Sequence, residues 1–347
     1  MKKRIGFRVD ANEHIASGHL MRCIAIALEC MKSGNECIFF MAEEKQEARL
    51  QQNKIPYYIL NSQWNCMEEE LDKMTEWIKR ENLDLLVVDS YQATKNYLNI
   101  LNAHVPVCYL DDMGEEVYPI ASLLHYSAWP DDEEYMKPYQ NSDTKVMCGM
   151  QYVPLRSEFT GEIYESQRER SILITTGGTD PYNITGKVLK ELLSEDLYKE
   201  FIFKVIVGGM NTNIEQLQEL AKDERVRLLY NVSNMGELMK SSQYAISAGG
   251  TTLFELCACK VPTVCFSFAE NQRAFTEEMG KRKVMLYAGD AREDADIEKV
   301  IVENVSAFVL DDKLNEEYVS RMMQLVDGKG TERIAEFFEK IACDKRC

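Results

Sequence analysis

The sequence predicts an α/β protein built from two parallel-sheet domains. Three observations predict it. The chain has 347 residues, more than one hydrophobic core usually serves. Short β-branched, apolar runs alternate with amphipathic helical runs along most of its length, the pattern of parallel strands covered by helices. The alternation also starts afresh near Ser171, after a polar stretch over 157–169 that lacks apolar periodicity and reads as an interdomain linker.

In the first half, strands are expected over 5–9, 36–41, 57–60, 83–89 and 105–110, and helices over 18–33, 44–53, 67–80 and 94–103. The first of these helices sets Leu20, Ile24, Ala27, Leu28 and Met31 on one face at spacings of three and four. In the second half, strands are expected over 172–176, 201–207, 227–230, 244–247 and 263–266. Helices are expected over 183–193, 214–222, 235–240, 252–259 and 271–281, and the chain beyond Val302 reads as helical. The expected domains are 1–158, 159–330 and a terminal helical segment, 331–347.

Bulk composition narrows the function. The net charge of −17 repels phosphate backbones, so non-specific nucleic-acid binding is disfavoured. An anionic ligand needs local devices such as backbone N–H groups or one well-placed arginine. Eleven cysteines occur without C-x-x-C pairing, which suits reduced, buried thiols rather than a zinc site or a disulfide framework. The apolar run after Lys2-Lys3-Arg4 is too short for a signal peptide, and no stretch approaches the ~18 apolar residues of a membrane span. A cytoplasmic location is expected. No Walker motif, dinucleotide fingerprint, H-E-x-x-H or G-x-S-x-G is present.

In open parallel sheets, ligands bind beyond the carboxyl ends of strands, and three loops there carry candidate chemistry. The first runs from Asp10 to Gly18 and His19. Gly18 permits a tight start to the helix. His19 lies in the first turn with Arg22 three residues on. The positive end of the helix disfavours imidazolium, so a neutral His19 would be placed to accept a proton; otherwise it caps the helix or fills a crevice. The second loop is Thr176-Gly177-Gly178-Thr179-Asp180-Pro181. Its glycines let backbone N–H groups approach an oxygen-rich ligand, and Asp180-Pro181 equally reads as a helix start. The third is Ser247-Ala248-Gly249-Gly250-Thr251-Thr252, with Glu255 one turn on. Its amides suit a phosphate, and Glu255 either accepts ribose hydroxyls or closes a capping box with Thr252. Asn271 and Gln272 follow the next strand and either bond a sugar or cap a helix. Tyr91, after Asp89 and Ser90, offers a ring suited to sugar faces. The Asp111-Asp112 pair reads as acid and base, as a Mg²⁺ site, or as a turn.

Taken together these loops resemble the UDP-sugar hydrolases of pseudaminic acid biosynthesis and the related spore-coat polysaccharide biosynthesis proteins. The resemblance rests on Arg8-Val9-Asp10, Ile15-Ala16-Ser17-Gly18-His19-Leu20-Met21-Arg22-Cys23 and Asp111-Asp112. It continues through Tyr152-Val153-Pro154-Leu155-Arg156, Gly177-Gly178-Thr179-Asp180-Pro181, Val207-Gly208-Gly209, Gly249-Gly250-Thr251, Glu255-Leu256-Cys257 and Glu270-Asn271-Gln272. It implies a glycosyltransferase-B-like fold of two Rossmann-like domains facing across a cleft, with the last helix crossing back to the first domain. It further implies UDP on the second domain, with Gly249, Gly250, Thr251 and Thr252 at the phosphate and Glu255 at the ribose. His19 would be the base facing the sugar. Gly18, Arg22, Tyr91, Arg156, Gly178, Thr179, Asp180, Asn271 and Gln272 would line the substrate. The expected activity is hydrolysis of a UDP-linked acetamido-deoxy sugar with inversion, with no cofactor or metal. The alternatives are transfer to an acceptor on the same scaffold and non-catalytic binding of a nucleotide sugar. Two departures stand out: Ala16 replaces the first glycine usual in such relatives, and Leu123-Leu124-His125-Tyr126-Ser127 stands where they often carry an Asp-Gln-Asn or Asn-rich segment. The sequence does not set the oligomeric state.

Overall fold

A computed structural model describes residues 2–12, 15, 18–126, 132–161 and 168–343. Glu13, His14, Ala16 and Ser17 of the first loop, and Ser127, lie outside them. The chain forms two compact units, Met1–Arg156 with Lys329–Cys347, and Ser157–Gly328. Both boundaries fall two residues before the expected ones.

Unit 1 is a seven-stranded parallel sheet in the order β3-β2-β1-β4-β5-β6-β7. Its strands are β1 (Arg4–Val9), β2 (Glu36–Met41), β3 (Tyr57–Ile59), β4 (Leu85–Asp89), β5 (Val107–Leu110), β6 (Ser122–His125) and β7 (Lys145–Cys148). Its helices are α1 (Gly18–Lys32), α2 (Glu47–Gln52), α3 (Leu71–Arg80), α4 (Lys95–Asn102) and α5 (Asp132–Met136). The β1 run Arg4-Ile-Gly-Phe-Arg-Val9 is buried from its second residue onward, as a central parallel strand covered on both faces must be. The helix expected over 67–80 begins instead as a 3-10 turn, Met67–Glu70, whose Glu70 is wholly buried.

Unit 2 repeats the plan with six strands in the order β10-β9-β8-β11-β12-β13. They are β8 (Glu169–Thr175), β9 (Ile202–Ile206), β10 (Val226–Leu229), β11 (Ser242–Ala248), β12 (Thr263–Ser267) and β13 (Leu286–Asp290). Its helices are α6 (Ile184–Ser194), α7 (Ile214–Leu220), α8 (Met235–Lys240), α9 (Thr252–Ala258), α10 (Glu270–Lys281), α11 (Ile297–Leu310) and α12 (Asp312–Leu325). Aromatic and aliphatic residues from strands and helices, among them Phe203, Val205, Tyr198, Phe266 and Phe308, form one continuous core. Three strands were not expected from the sequence: β6, β7 and β13.

The last helix, α13 (Gly330–Cys343), belongs to unit 1. Lys3 Nζ donates to the Ala342 carbonyl at 2.8 Å, Asn35 Nδ2 to Glu339 at 2.9 Å, and Arg333 to the Gln151 carbonyl at 2.9 Å. A Cβ at Gly330 would meet the Val153 carbonyl oxygen at 2.1 Å, so only glycine lets the helix start there. Among the described residues no helix is long and apolar enough to cross a membrane.

Candidate active site

In unit 1, β1, β4 and β5 end side by side, and each delivers a carboxylate: Asp10 and Asp111 directly after β1 and β5, and Asp89 as the last residue of β4. Helix α1 starts above them. Helical spacing puts His19, Arg22 and Cys23 on one face, and that face is turned to Asp89. His19 Nδ1 lies 2.6 Å from Asp89 Oδ1. Arg22 grips the same carboxylate with both arms, Nε to Oδ2 at 2.6 Å and Nη2 to Oδ1 at 2.5 Å, and Cys23 Sγ reaches Oδ2 at 3.4 Å. Arg22 Nη1 donates to Asp112 at 2.7 and 3.0 Å and to the Tyr126 hydroxyl. The Tyr91 hydroxyl donates to Asp112 at 3.0 Å, and its ring stands edge-on to His19 with centroids 4.7 Å apart.

The protonation pattern follows from these contacts. Burial alone would raise the Asp89 pKa. The Arg22 charge and the hydrogen bonds from Arg22 and His19 outweigh it and hold the carboxyl well below the usual range, so Asp89 is ionised. A ring nitrogen 2.6 Å from a carboxylate oxygen must carry its hydrogen, because two lone pairs at that distance repel. Arg22 Nη2 is 2.9 Å from the same Nδ1, but both are then donors and Nη2 bonds Asp89 instead. Neutral His19 is therefore fixed as the tautomer with its lone pair on Nε2, and Nε2 has no partner among the described residues. His19, Asp10, Ile15, Asp89, Ser90, Tyr91 and Gln92 line a cavity of about 30 Å³, room for a water molecule.

Three expectations for this unit change. Arg22, expected to line the substrate, directs its N–H groups at Asp89, Asp112 and Tyr126 instead. Gly18 is not required for a tight turn, because a Cβ there would meet nothing within 4 Å. The Asp111-Asp112 pair does not act as one unit. Asp111 is buried and accepts from the Gly114 and Met113 amides and the Tyr135 hydroxyl at 2.9, 3.2 and 2.8 Å, while Asp112 turns to Arg22. Asp89 and Tyr126, absent from the expected site, are its anchors. A carboxylate on the strand next to β1 was the available signal for Asp89. Of the departing segment, His125 is buried, donates Nδ1–H to the Asp111 carbonyl at 2.7 Å and stacks on Tyr135. Arg156 closes unit 1 and does not line the cavity.

Unit 2 presents a different edge. After β11, the N–H groups of Gly250, Thr251 and Thr252 donate to no described group. Gly249 plays another part: its N–H bonds the Phe266 carbonyl at 2.9 Å, and a Cβ would meet Thr276 at 2.7 Å and Gln272 at 2.9 Å. It is a packing glycine against α10 rather than a phosphate donor. The capping box does not form. Helix α9 starts at Thr252, and the side chain of its N-cap Thr251 makes no capping bond. Glu255 is half-buried in the first turn.

After β8, Gly177 takes a left-handed φ of 78° and Gly178 accepts from the Met210 amide at 3.0 Å. A Cβ on Gly208 would meet Gly177 O at 2.2 Å, so the two loops touch backbone to backbone. Thr179, next in this loop, is half-buried. The buried Thr176 hydroxyl has no hydrogen-bond partner among the described residues. Asp180 does not face a ligand: it is buried, and its carboxylate caps α6 through the Ile184 and Thr185 amides at 2.8 and 2.9 Å. Gln272 likewise turns back to accept from the Phe268 amide at 3.0 Å. Asn271 is exposed at the start of α10.

Residues 171–336 match the glycosyltransferase family 28 C-terminal domain. The chain is 23% identical over 349 residues to the spore coat polysaccharide biosynthesis protein SpsG of Bacillus subtilis, covering 97% of this chain and 98% of that protein. It is 26% identical to the uncharacterized protein MJ1062 of Methanocaldococcus jannaschii, over 80% of this chain and 58% of the relative. A third relative, from Helicobacter pylori, is the pseudaminic acid cytidylyltransferase and UDP-2,4-diacetamido-2,4,6-trideoxy-β-L-altropyranose hydrolase, 21% identical over 78% of this chain and 46% of that protein. The chain thus spans about half the length of two of these relatives. Among solved structures, MurG of Acinetobacter baumannii superposes with a TM-score of 0.67 at 14% identity, covering 98% of this chain and all of that one. By architecture the chain has a glycosyltransferase-B-like fold, and its second unit is similar to the C-terminal domain of glycosyltransferase family 28.

Proposed function

We propose that the chain hydrolyses a UDP-linked acetamido-deoxy sugar. The observation that carries the reading is the Asp89–His19 pair beside a water-sized cavity. Water attacks the anomeric carbon, its proton passes to His19 Nε2, the bond from that carbon to the diphosphate oxygen breaks, and UDP leaves. One displacement inverts the anomeric centre. Asp89 steadies the imidazolium formed in this step, as the carboxylate does in a Ser-His-Asp triad. The diphosphate is assigned to the open amides of Gly250, Thr251 and Thr252, with Glu255 and Asn271 at the ribose and sugar. The named activity of the Helicobacter relative supports the substrate class, and the likeness to SpsG supports a place in surface polysaccharide biosynthesis.

Transfer to an acceptor hydroxyl is the second reading, favoured by the match to a glycosyltransferase domain. Incubation with UDP-linked 2,4-diacetamido-trideoxyhexoses, followed by NMR with and without candidate acceptors, separates the two. Hydrolysis releases UDP and free reducing sugar in equal amounts without any acceptor. UDP release that waits for an acceptor would establish transfer instead, and intact substrate under all conditions would end both.

A further inference from the structure

Unit 2 holds a cavity of about 910 Å³, within the size range of small-molecule sites. It lies at the amino ends of the strands. Gln243, in its lining, stands near the start of β11, roughly 16 Å along the strand from Ala248, where the loop of open amides begins. The sheet supplies cations, Arg168, Arg170 and Lys260, and α12 supplies anions, Asp312 and Glu316, one turn apart on one face. Arg168 Nη2 donates to the Cys259 and Lys260 carbonyls at 3.0 and 2.7 Å and so holds the turn that carries Lys260. Arg170 is engaged by Glu200 at 2.5 Å. The side chains of Lys260, Asp312 and Glu316, by contrast, have no ion-pair or hydrogen-bond partner among the described residues. Opposite charges thus share one cavity without pairing. A second observation points the same way. Asn315, also in the lining, donates Nδ2–H to the Phe308 carbonyl at 2.8 Å, while its Oδ1 is buried and accepts nothing among the described residues. A buried acceptor left without a donor is costly, and a ligand that brings an N–H group relieves it.

We propose that this cavity is a second ligand site, built for a small zwitterion of the amino acid or short-peptide class. Its anionic group pairs with Lys260. Its ammonium group is held by Asp312 and Glu316 and donates to Asn315 Oδ1. The apolar stretch between them packs on Pro262, Val319 and Met323. A ligand with one charge fits less well: a lone anion brings a like charge to the two carboxylates, and a lone cation brings one to Lys260. The site stands apart from the nucleotide-sugar reading, because it lies at the opposite end of the strands from the amides assigned to the diphosphate.

The test follows the methyl signal of Met323 by NMR in the full chain labelled with [methyl-¹³C]methionine, the signal being identified from Met323→Leu. The probes are 4-aminobutanoate, 6-aminohexanoate and 8-aminooctanoate, each compared with the alkanoate and the alkylamine of the same length. At least one of the three zwitterions is expected to shift the Met323 signal saturably, with an affinity about fivefold or more above that of either single-charge analogue. Lys260→Gln and Glu316→Gln should each erase that advantage, and UDP added at saturation should leave the shift in place. Absence of a saturable shift with all three zwitterions would overturn the proposal. So would affinities equal to those of the single-charge analogues, or an advantage that survives both variants. Displacement by UDP would overturn it as well, since the zwitterion would then occupy the nucleotide's own site.

Discussion

The two units share a strand order, three-two-one-four-five-six counted within each, yet their carboxyl-end edges have opposite chemistry. The unit 1 edge sets carboxylates around the His19 imidazole, with Arg8 and Arg22 engaged by them. The unit 2 edge is rich in glycine, threonine and open amides, and its buried carboxylates are engaged within the unit, Asp180 by the start of α6 and Asp290 by Arg292 and Ser267. A parallel sheet provides a platform at its strand ends and leaves the choice of chemistry to the loops. In this chain one platform carries a histidine held by a carboxylate, and the other carries amides that have no partner among the described residues.

The comparison can be broken most sharply at His19. His19→Ala should lower turnover about 10²- to 10⁴-fold and leave the affinity for UDP, measured by calorimetry, unchanged. Loss of UDP affinity would mean that the units do not divide the work in this way.

Asp89→Asn comes next. It breaks a buried ion pair and should destabilise the protein by about 3–5 kcal/mol. Because the Asp89 pKa is depressed in the folded state, its stabilisation is complete above the unfolded carboxyl value of about 3.9 and is lost as pH falls through the folded value. The difference in unfolding free energy between wild type and variant should therefore hold from pH 7 to about 5 and shrink only in stronger acid. The ¹⁵N shifts of His19 should show a fixed tautomer in the wild type and a mixture in Asp89→Asn.

Unit 2 offers two smaller effects. Gly249→Ala should cost about 1–3 kcal/mol through overpacking against Thr276 and Gln272, read as a lower Tm. Asp180→Ala should cost about 1–2 kcal/mol as a lost helix cap while UDP affinity stays within error; a large loss of affinity would restore Asp180 to the ligand site. The smallest effect belongs to Gly18→Ala. With open space at its Cβ and no left-handed φ, it should change stability by less than about 1 kcal/mol, in the stabilising direction.

Much of the fold was legible because parallel sheets impose apolar runs that need no tertiary information. Strand β2 and helix α8 occupy the expected residues, and most other ends shift by one or two. The strands that escaped notice, β6, β7 and β13, are four or five residues long. Strands β6 and β7 open on the polar Ser122 and Lys145, which leaves runs of two or three apolar residues, and Gly289 breaks the apolar run of β13, so nothing local distinguishes them from loops until neighbouring strands pair with them.

The site was legible in part for a similar reason. His19 followed from its place after a strand and at a helix start. The roles of Arg22, Asp180, Gln272 and Gly249 did not follow, because a polar residue at a strand end faces either a ligand or its own backbone, and only the hydrogen bonds decide.

By itself, then, the sequence determined the alternation of strands and helices, the restart near Ser171, the acidic balance and the loops where chemistry would sit, since each is a property of local pattern or of composition. Only the tertiary structure decided that Asp89, seventy residues from His19 in the chain, selects the basic nitrogen of the imidazole, and that Arg22 spends its N–H groups on Asp89, Asp112 and Tyr126. Electrostatic interactions act through space, and distance along the chain carries almost no information about them.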